Sequence, residues 1–251
     1  MPVYISTVCL ERNRWGSRQP SYRVSEWLPR FAADGFDGIE LWENHWLAAD
    51  AGERDRLMAA ETPLAVYNTY AAFSDEHAEP LEKAAGAIEK LAAGGVKYNL
   101  GNDPAKLSEY RRNLLKWADR LPATCKLLCE CHPGTILEEP AVAAKFFADL
   151  DPNRFGVIVH VAGNPDVVKE WFSTFGSRVA HLHVQMRDAQ TNPALPEARE
   201  KLDACFSEVT KHGYQGSVSI EFTRGIGRDE DIETLYANAR ADMAYCRKVL
   251  S

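Results

Sequence analysis

Four ionisable side chains stand at or near the ends of short apolar runs: Glu130 closes CKLLCE, His160 closes FGVIVH, His183 lies in VAHLHV, and Glu221 closes GSVSIE. A carboxylate taken out of water needs a partner, so Glu130 in KLLCECHPGT must be neutralised, hydrogen-bonded, ion-paired or bound to a metal. A strand sends alternate residues to opposite faces, which puts Glu130 and His132 on one side and Cys129 and Cys131 on the other. The cysteines read as small packing residues. Cys9, Cys125, Cys205 and Cys246 are scattered singly, so no second pair stands at zinc-knuckle spacing. Two carboxylates and two imidazoles converging from four strands would make a site for one divalent cation, with Glu130, His160, His183 and Glu221 as its ligands. A cation beside Glu130 would let it stay ionised.

Side chains can converge in this way only if the strands lie side by side and run the same way. Strand-like runs occur at 3–8, 37–42, 63–68, 95–100, 125–130, 155–160, 179–184 and 216–221, with helical spacing between them in VSEWLPRFAAD, LEKAAGAIEKLAAGG and LSEYRRNLLKWADRL. The segment IETLYANARADMAYCRKVL follows the last strand. This alternation predicts one (β/α)8 TIM barrel over residues 1–251, an α/β fold whose parallel strands are buried on both faces. A doubly wound sheet would more often carry a glycine-rich phosphate loop after its first strand, and TVCLERNRWG is not one. The pattern glycine, aromatic, any residue, glycine recurs in DGFDGIEL and HGYQGSVSIEF, so Gly35 and Gly213 are expected to cap helices at equivalent turns.

Composition narrows the function classes. The 251 residues are 45% hydrophobic and 26% charged, which is ordinary for a globular protein, and the net charge of −7 gives no electrostatic footprint for nucleic acid. No run could span a membrane, and MPVYISTVCLERNRWG lacks the basic start and apolar run of a signal peptide. Unpatterned cysteines fit a reducing compartment, so a cytoplasmic address is expected. The stretch RDAQTNPALPE, residues 187–197, reads as a functional loop.

If the strand ends form the floor of an active site, other residues gather there. Glu40 would bond buried backbone or the barrel-lining Lys97, or else touch substrate. Asn68, Lys97 and Gln185 are candidate substrate contacts. His45, with Trp42 and Trp46, would wall the pocket. Arg187, Arg224 and Arg228 lie in loops at the same end and could orient polar groups of a substrate. His181, deeper in its strand, is read as a structural or supporting residue.

These fragments, in this order, resemble the xylose isomerase-like TIM barrel superfamily, whose members include sugar isomerases and epimerases, hydroxypyruvate isomerase, inosose and dehydroshikimate dehydratases and the endonuclease IV branch. The resemblance spans nearly the whole chain. It rests on GFDGIEL at the second strand, on CECHPGT, similar to the E-N-H-x-G of the family, on HLHVQMRD, similar to its H-V-H-x-K-D, and on the final SIE. By this match Glu130, His183 and Glu221 fall on metal-binding positions. The departure is at the sixth strand, where His160 stands in place of the usual aspartate. Imidazole makes the site less negative and suits Zn, Fe or Co, accommodates Mn and suits Mg less well.

The resemblance implies a metal-dependent isomerase or epimerase of a small keto sugar or related polyol. A Lewis acid would hold a carbonyl and its neighbouring hydroxyl while a carboxylate removes the proton alpha to the carbonyl. Glu130 and Glu221 would be ligands and acid/base groups, with His132 assisting proton transfer or binding a hydroxyl. A lyase on the same site is the alternative, by dehydration or by cleavage of a 3-keto glycoside. A phosphodiesterase of the endonuclease IV kind is disfavoured by the smaller ligand set. A non-catalytic sugar binder is the reading outside enzymology. The expected partner is a small carbohydrate, not nucleic acid or a membrane, and a homo-oligomer is compatible with the sequence.

Overall fold

Eight short strands, largely buried on both faces, close on one another in chain order in the computed structural model, which describes residues 1–12, 16–186, 192–226 and 231–250. They are β1 (Val3–Ser6), β2 (Ile39–Trp42), β3 (Leu64–Asn68), β4 (Gly95–Tyr98), β5 (Lys126–Glu130), β6 (Phe155–Val161), β7 (Val179–Val184) and β8 (Ser217–Ile220). Every pairing is parallel, and β1 meets β8 through Val3–Val218, Tyr4–Ser219 and Ile5–Ile220. This is the expected (β/α)8 barrel.

Around the strands lie α1 (Leu28–Ala33), α2 (Glu43–Leu47), α3 (Ala51–Met58), α4 (Ala78–Lys90), α5 (Leu107–Arg120), α6 (Pro140–Phe147), α7 (Pro165–Phe175), α8 (Arg199–Lys211) and α9 (Ile232–Val249). Gly35 and Gly213 follow α1 and α8 with φ of 95° and 64°, the left-handed backbone that a helix C-terminus needs and that costs glycine least. The two equivalent turns read from the sequence are present.

β1 stops two residues short of the expected run, because Thr7–Leu10 wind into a 3₁₀ turn. The Thr7 hydroxyl there accepts the backbone N–H of Trp42 at 2.9 Å, so a side chain continues the stitching of β1 to β2 where the ladder ends. Inside the barrel the lining divides by chemistry. Val66, Leu128 and Ile158, from β3, β5 and β6, form an apolar cluster, whereas β1, β2, β7 and β8 contribute the buried Ser6, Glu40, His181 and Ser219. Buried polar groups on that scale require partners: Glu40 and the Ser219 hydroxyl lie against His181, whereas among the described residues the Ser6 hydroxyl has no hydrogen-bond partner.

Candidate metal and active site

Glu130, His160, His183 and Glu221 meet at the C-terminal ends of their strands, each offering one ligand atom within 4.8 Å of the others. Strand alternation does this: His160 lies directly beside His183 in the β6–β7 register, and their rings stack with centroids 5.5 Å apart. Glu130 Oε1 stands 2.9 Å from His160 Nε2 and 3.3 Å from His183 Nδ1. Glu221 Oε1 stands 3.4 Å from the same Nδ1, and its Oε2 lies 3.9 Å from His160 Nε2.

The decisive atom is Nδ1 of His183. It is buried and makes no well-directed hydrogen bond, yet it faces two carboxylate oxygens. Its other nitrogen, Nε2, is satisfied by Glu40 Oε2 at 3.1 Å. A carboxylate behind one histidine nitrogen fixes the tautomer and aims the other nitrogen's lone pair forward, as at many metal-ligating histidines. The four donors therefore fit a divalent cation, which Glu130, His160, His183 and Glu221 would hold.

Electrostatics follow from the same contacts. Burial alone would raise the pKa of Glu40, but His183 and His181 hold it well below the usual carboxylate range. Burial likewise opposes ionisation of Glu130, and Lys97, followed by His160 and His183, drives its pKa well below normal. His183 is disfavoured as a cation by burial, but Glu40 and Glu221 beside it raise its pKa well above that of free imidazole. The carboxylates around it thus favour the charged form of His183 when no metal is bound.

A supporting ring lies under the four. His181 lies between the Ser217 and Ser219 hydroxyls at 2.8 and 2.9 Å and touches Glu40 at 3.4 Å, consistent with a structural or supporting place. Gln185 donates to Glu221 Oε2 at 2.7 Å. Asn68 donates to Glu40 Oε1 at 2.6 Å. Asn68 and Glu40 are 1% and 0% exposed and bonded to one another, the geometry of residues that hold His183. Lys97 is paired with Glu130, at 2.7 Å, and not with Glu40.

Two expected site residues, His45 and Arg224, stand apart, and a third, His132, lies at the rim beside His160. His45 is carried away from the cluster because α2 begins directly after β2. Its Nε2 meets Glu11 at 3.1 Å, and Tyr22 and Trp42 pack edge-on to its ring. His132 lies two residues past the end of β5, its N–H bonded to the Glu130 carbonyl at 2.8 Å, so strand alternation no longer sets its direction. It is exposed at the rim, its ring 6.0 Å from that of His160 and its Nδ1 2.7 Å from the Pro133 carbonyl. Arg224 is exposed and paired with Glu197. Arg187 and Arg228 lie outside the described residues.

Two residues that sequence reasoning passed over belong here. Asn99 donates to Glu130 Oε2 at 3.0 Å, and Tyr70 lays its ring over Lys97, with Nζ 4.2 Å from the centroid. Asn99 was legible in principle, since it lies two residues beyond Lys97 and so shares its face.

No protein-family model matches the sequence, and comparison with curated proteins finds no relative. Solved structures do match. The chain is similar over 98% of its length, and 99% of the other, to the probable 3-DHS dehydratase involved in petrobactin synthesis from Bacillus anthracis, at 15% identity and a TM-score of 0.72. It is similar over the whole of both chains to the D-psicose 3-epimerase of Clostridium cellulolyticum H10, at 16% identity and a TM-score of 0.68. It is also similar over 97% of its length to 41% of a xylose isomerase-like TIM barrel/4-hydroxyphenylpyruvate dioxygenase fusion protein, at 17% identity and a TM-score of 0.63.

The chain shares the (β/α)8 barrel fold of these structures, one of which is a xylose isomerase-like TIM barrel. In this barrel, no helix among the described residues is long and apolar enough to cross a membrane.

Proposed function

We propose that this protein is a divalent-metal-dependent isomerase or epimerase of a small keto sugar or related polyol, working in the cytoplasm. The observation that carries the reading is the buried Nδ1 of His183, aimed by Glu40 at two carboxylates in a four-donor cluster. Glu130, His160, His183 and Glu221 would hold the ion, which when bound supplies Lewis acidity to a substrate carbonyl. The donor set, half imidazole, favours Zn, Co, Fe or Mn over Mg.

Glu221 takes the proton from the carbon beside the carbonyl. Gln185 keeps the Glu221 carboxylate turned toward the cluster. Lyase chemistry is the second reading, and the position of His132 favours it. Exposed at the rim, one ring beyond His160, it could protonate a departing hydroxyl or glycosidic oxygen.

Incubation with short ketoses, keto-inositols and 3-keto glycosides in heavy water tests the common first step. The protein with metal bound should place deuterium on the carbon alpha to the carbonyl, and Glu221→Gln that still holds metal should not. Phosphodiester hydrolysis, with no exchange on any carbonyl compound, would sink the reading.

A further inference from the structure

Lys97 lies beneath the cluster, 1% exposed, with three neighbours: Glu130 Oε2 at 2.7 Å, Asn99 Oδ1 at 2.8 Å and the ring of Tyr70 at 4.2 Å. An ammonium has three donors and no acceptor, so these directions occupy it completely. It has nothing left to offer a substrate. The Tyr70 ring also covers the side on which it could swing out, and that loop is bolted down: Glu43 accepts the Tyr70 N–H at 3.0 Å and the Thr69 hydroxyl at 2.6 Å.

The effect falls on Glu130. Its Oε2 accepts from Lys97 and, at 3.0 Å, from Asn99 Nδ2, which takes both lone pairs of that oxygen. Only Oε1 faces His160 and His183. Glu221 is held differently. Its Oε2 accepts one neutral N–H from Gln185, and among the described residues no lysine or arginine touches it. The two carboxylates of the cluster are thus chemically unequal.

We infer that Lys97 is a positioning residue that fixes Glu130 as a one-oxygen ligand and withdraws it from proton transfer, leaving Glu221 as the single carboxylate base. This rests on the proposed metal-dependent proton removal and narrows it. Inversion of a carbon by two carboxylates on opposite sides of the substrate is not served by such a pair. Two reactions are. In one, Glu221 takes the alpha proton and returns it to the former carbonyl carbon on the same face while the hydroxyl proton passes to the former carbonyl oxygen, so that carbonyl and hydroxyl exchange places with no net redox change. In the other, the C–H electron pair becomes the new C=C bond and expels hydroxide from the beta carbon. That hydroxide and the proton taken by Glu221 make one water.

The cobalt(II) form tests the role of Lys97 without relying on turnover, because the visible bands of cobalt respond to coordination number. Lys97→Met frees Oε2 to join Oε1 on the ion, so its bands should shift and weaken relative to the wild type, and Lys97→Arg should restore the wild-type spectrum. Asn99→Ala, which removes one neutral donor from Oε2 and no charge, should move the spectrum less and in the same sense. It serves as the test if Lys97→Met does not fold. In heavy water, the wild type should exchange the alpha proton of its substrate without inverting that carbon.

An unchanged spectrum in a folded variant that binds cobalt overturns the inference alone. So does an epimer as the wild-type product. A wild type that takes up no cobalt overturns the proposed function as well, which separates the two failures.

Discussion

Nε2 of His183 and Oε2 of Glu40 lie 3.1 Å apart, reaching across the barrel interior from β7 and β2, which β8 and β1 separate, and both side chains are closed to solvent. Glu40 is charged there because histidines surround it, and His183 is oriented because Glu40 is charged. A carboxylate that only accepts leaves Nε2–H as the donor and Nδ1 as the atom presented to the cluster. Glu40→Gln keeps the volume but offers an amide, and removes the charge that selects this tautomer. Metal affinity should fall about 10- to 100-fold, with the far-UV circular dichroism unchanged. Titration of the metal-free protein with zinc checks this, and equal affinity in variant and wild type would remove Glu40 from the site.

Metal binding should release a proton. With no metal, the raised pKa of His183 keeps Nδ1 protonated near neutrality, and a ligand nitrogen must give that proton up. The sign follows for stability as well. A histidine whose folded pKa exceeds its unfolded value adds stability below the unfolded pKa of about 6.5, and loses it as pH rises through the folded value. Metal affinity should therefore weaken as pH falls below the folded pKa of His183. Calorimetric titration in two buffers of different ionisation enthalpy reads the proton directly. Identical apparent enthalpies in the two buffers would contradict it.

Away from the cluster, Asp242 of α9 accepts the Leu195 N–H at 2.8 Å and the Thr223 hydroxyl at 2.7 Å. Burial pushes its pKa up to about 7 against those two hydrogen bonds, and Glu197 adds to the rise. Between about pH 4 and that value the folded protein binds more protons than the unfolded chain, so stability falls with rising pH across this window and stays low above it. Each unit of displacement is worth about 1.4 kcal/mol. Asp242→Asn can keep both contacts, its oxygen accepting from Leu195 and its amide donating to Thr223, without the buried charge. It should melt higher than the wild type at pH 8 and at the same temperature at pH 4. A lower melting point at pH 8 would show that the carboxylate stabilises this corner.

The barrel was legible because its signal is carried by many residues at once. Eight apolar runs at regular spacing survive errors at individual ends, and β7 lies at the expected residues while β1 is two residues shorter. The convergence of Glu130, His160, His183 and Glu221 was legible for the same reason, since strand parity fixes which way each points. Parity fails where strands stop. His132 lies two residues past the end of β5, and the chain has already turned. His45 was misplaced because nothing in ENHWL announces that a helix begins at once and carries its third residue out to Glu11. Pairing across the barrel was also hidden: Glu40 could reach either Lys97 or the histidines, and only the closed geometry decides between them.

The contact between Glu40 and His183 joins residues 143 positions apart in the chain, and the four clustered donors all lie beyond residue 129. During synthesis the N-terminal part emerges first, so the residue that aims the histidine exists long before anything it can aim. The last donor, Glu221, arrives with β8, the strand that closes the ring against β1. Capture of the proposed ion would therefore be a late event in the life of the nascent chain. It follows ring closure instead of guiding it, and a ribosome-stalled fragment ending before β8 should pass through a metal-rich medium without retaining a load.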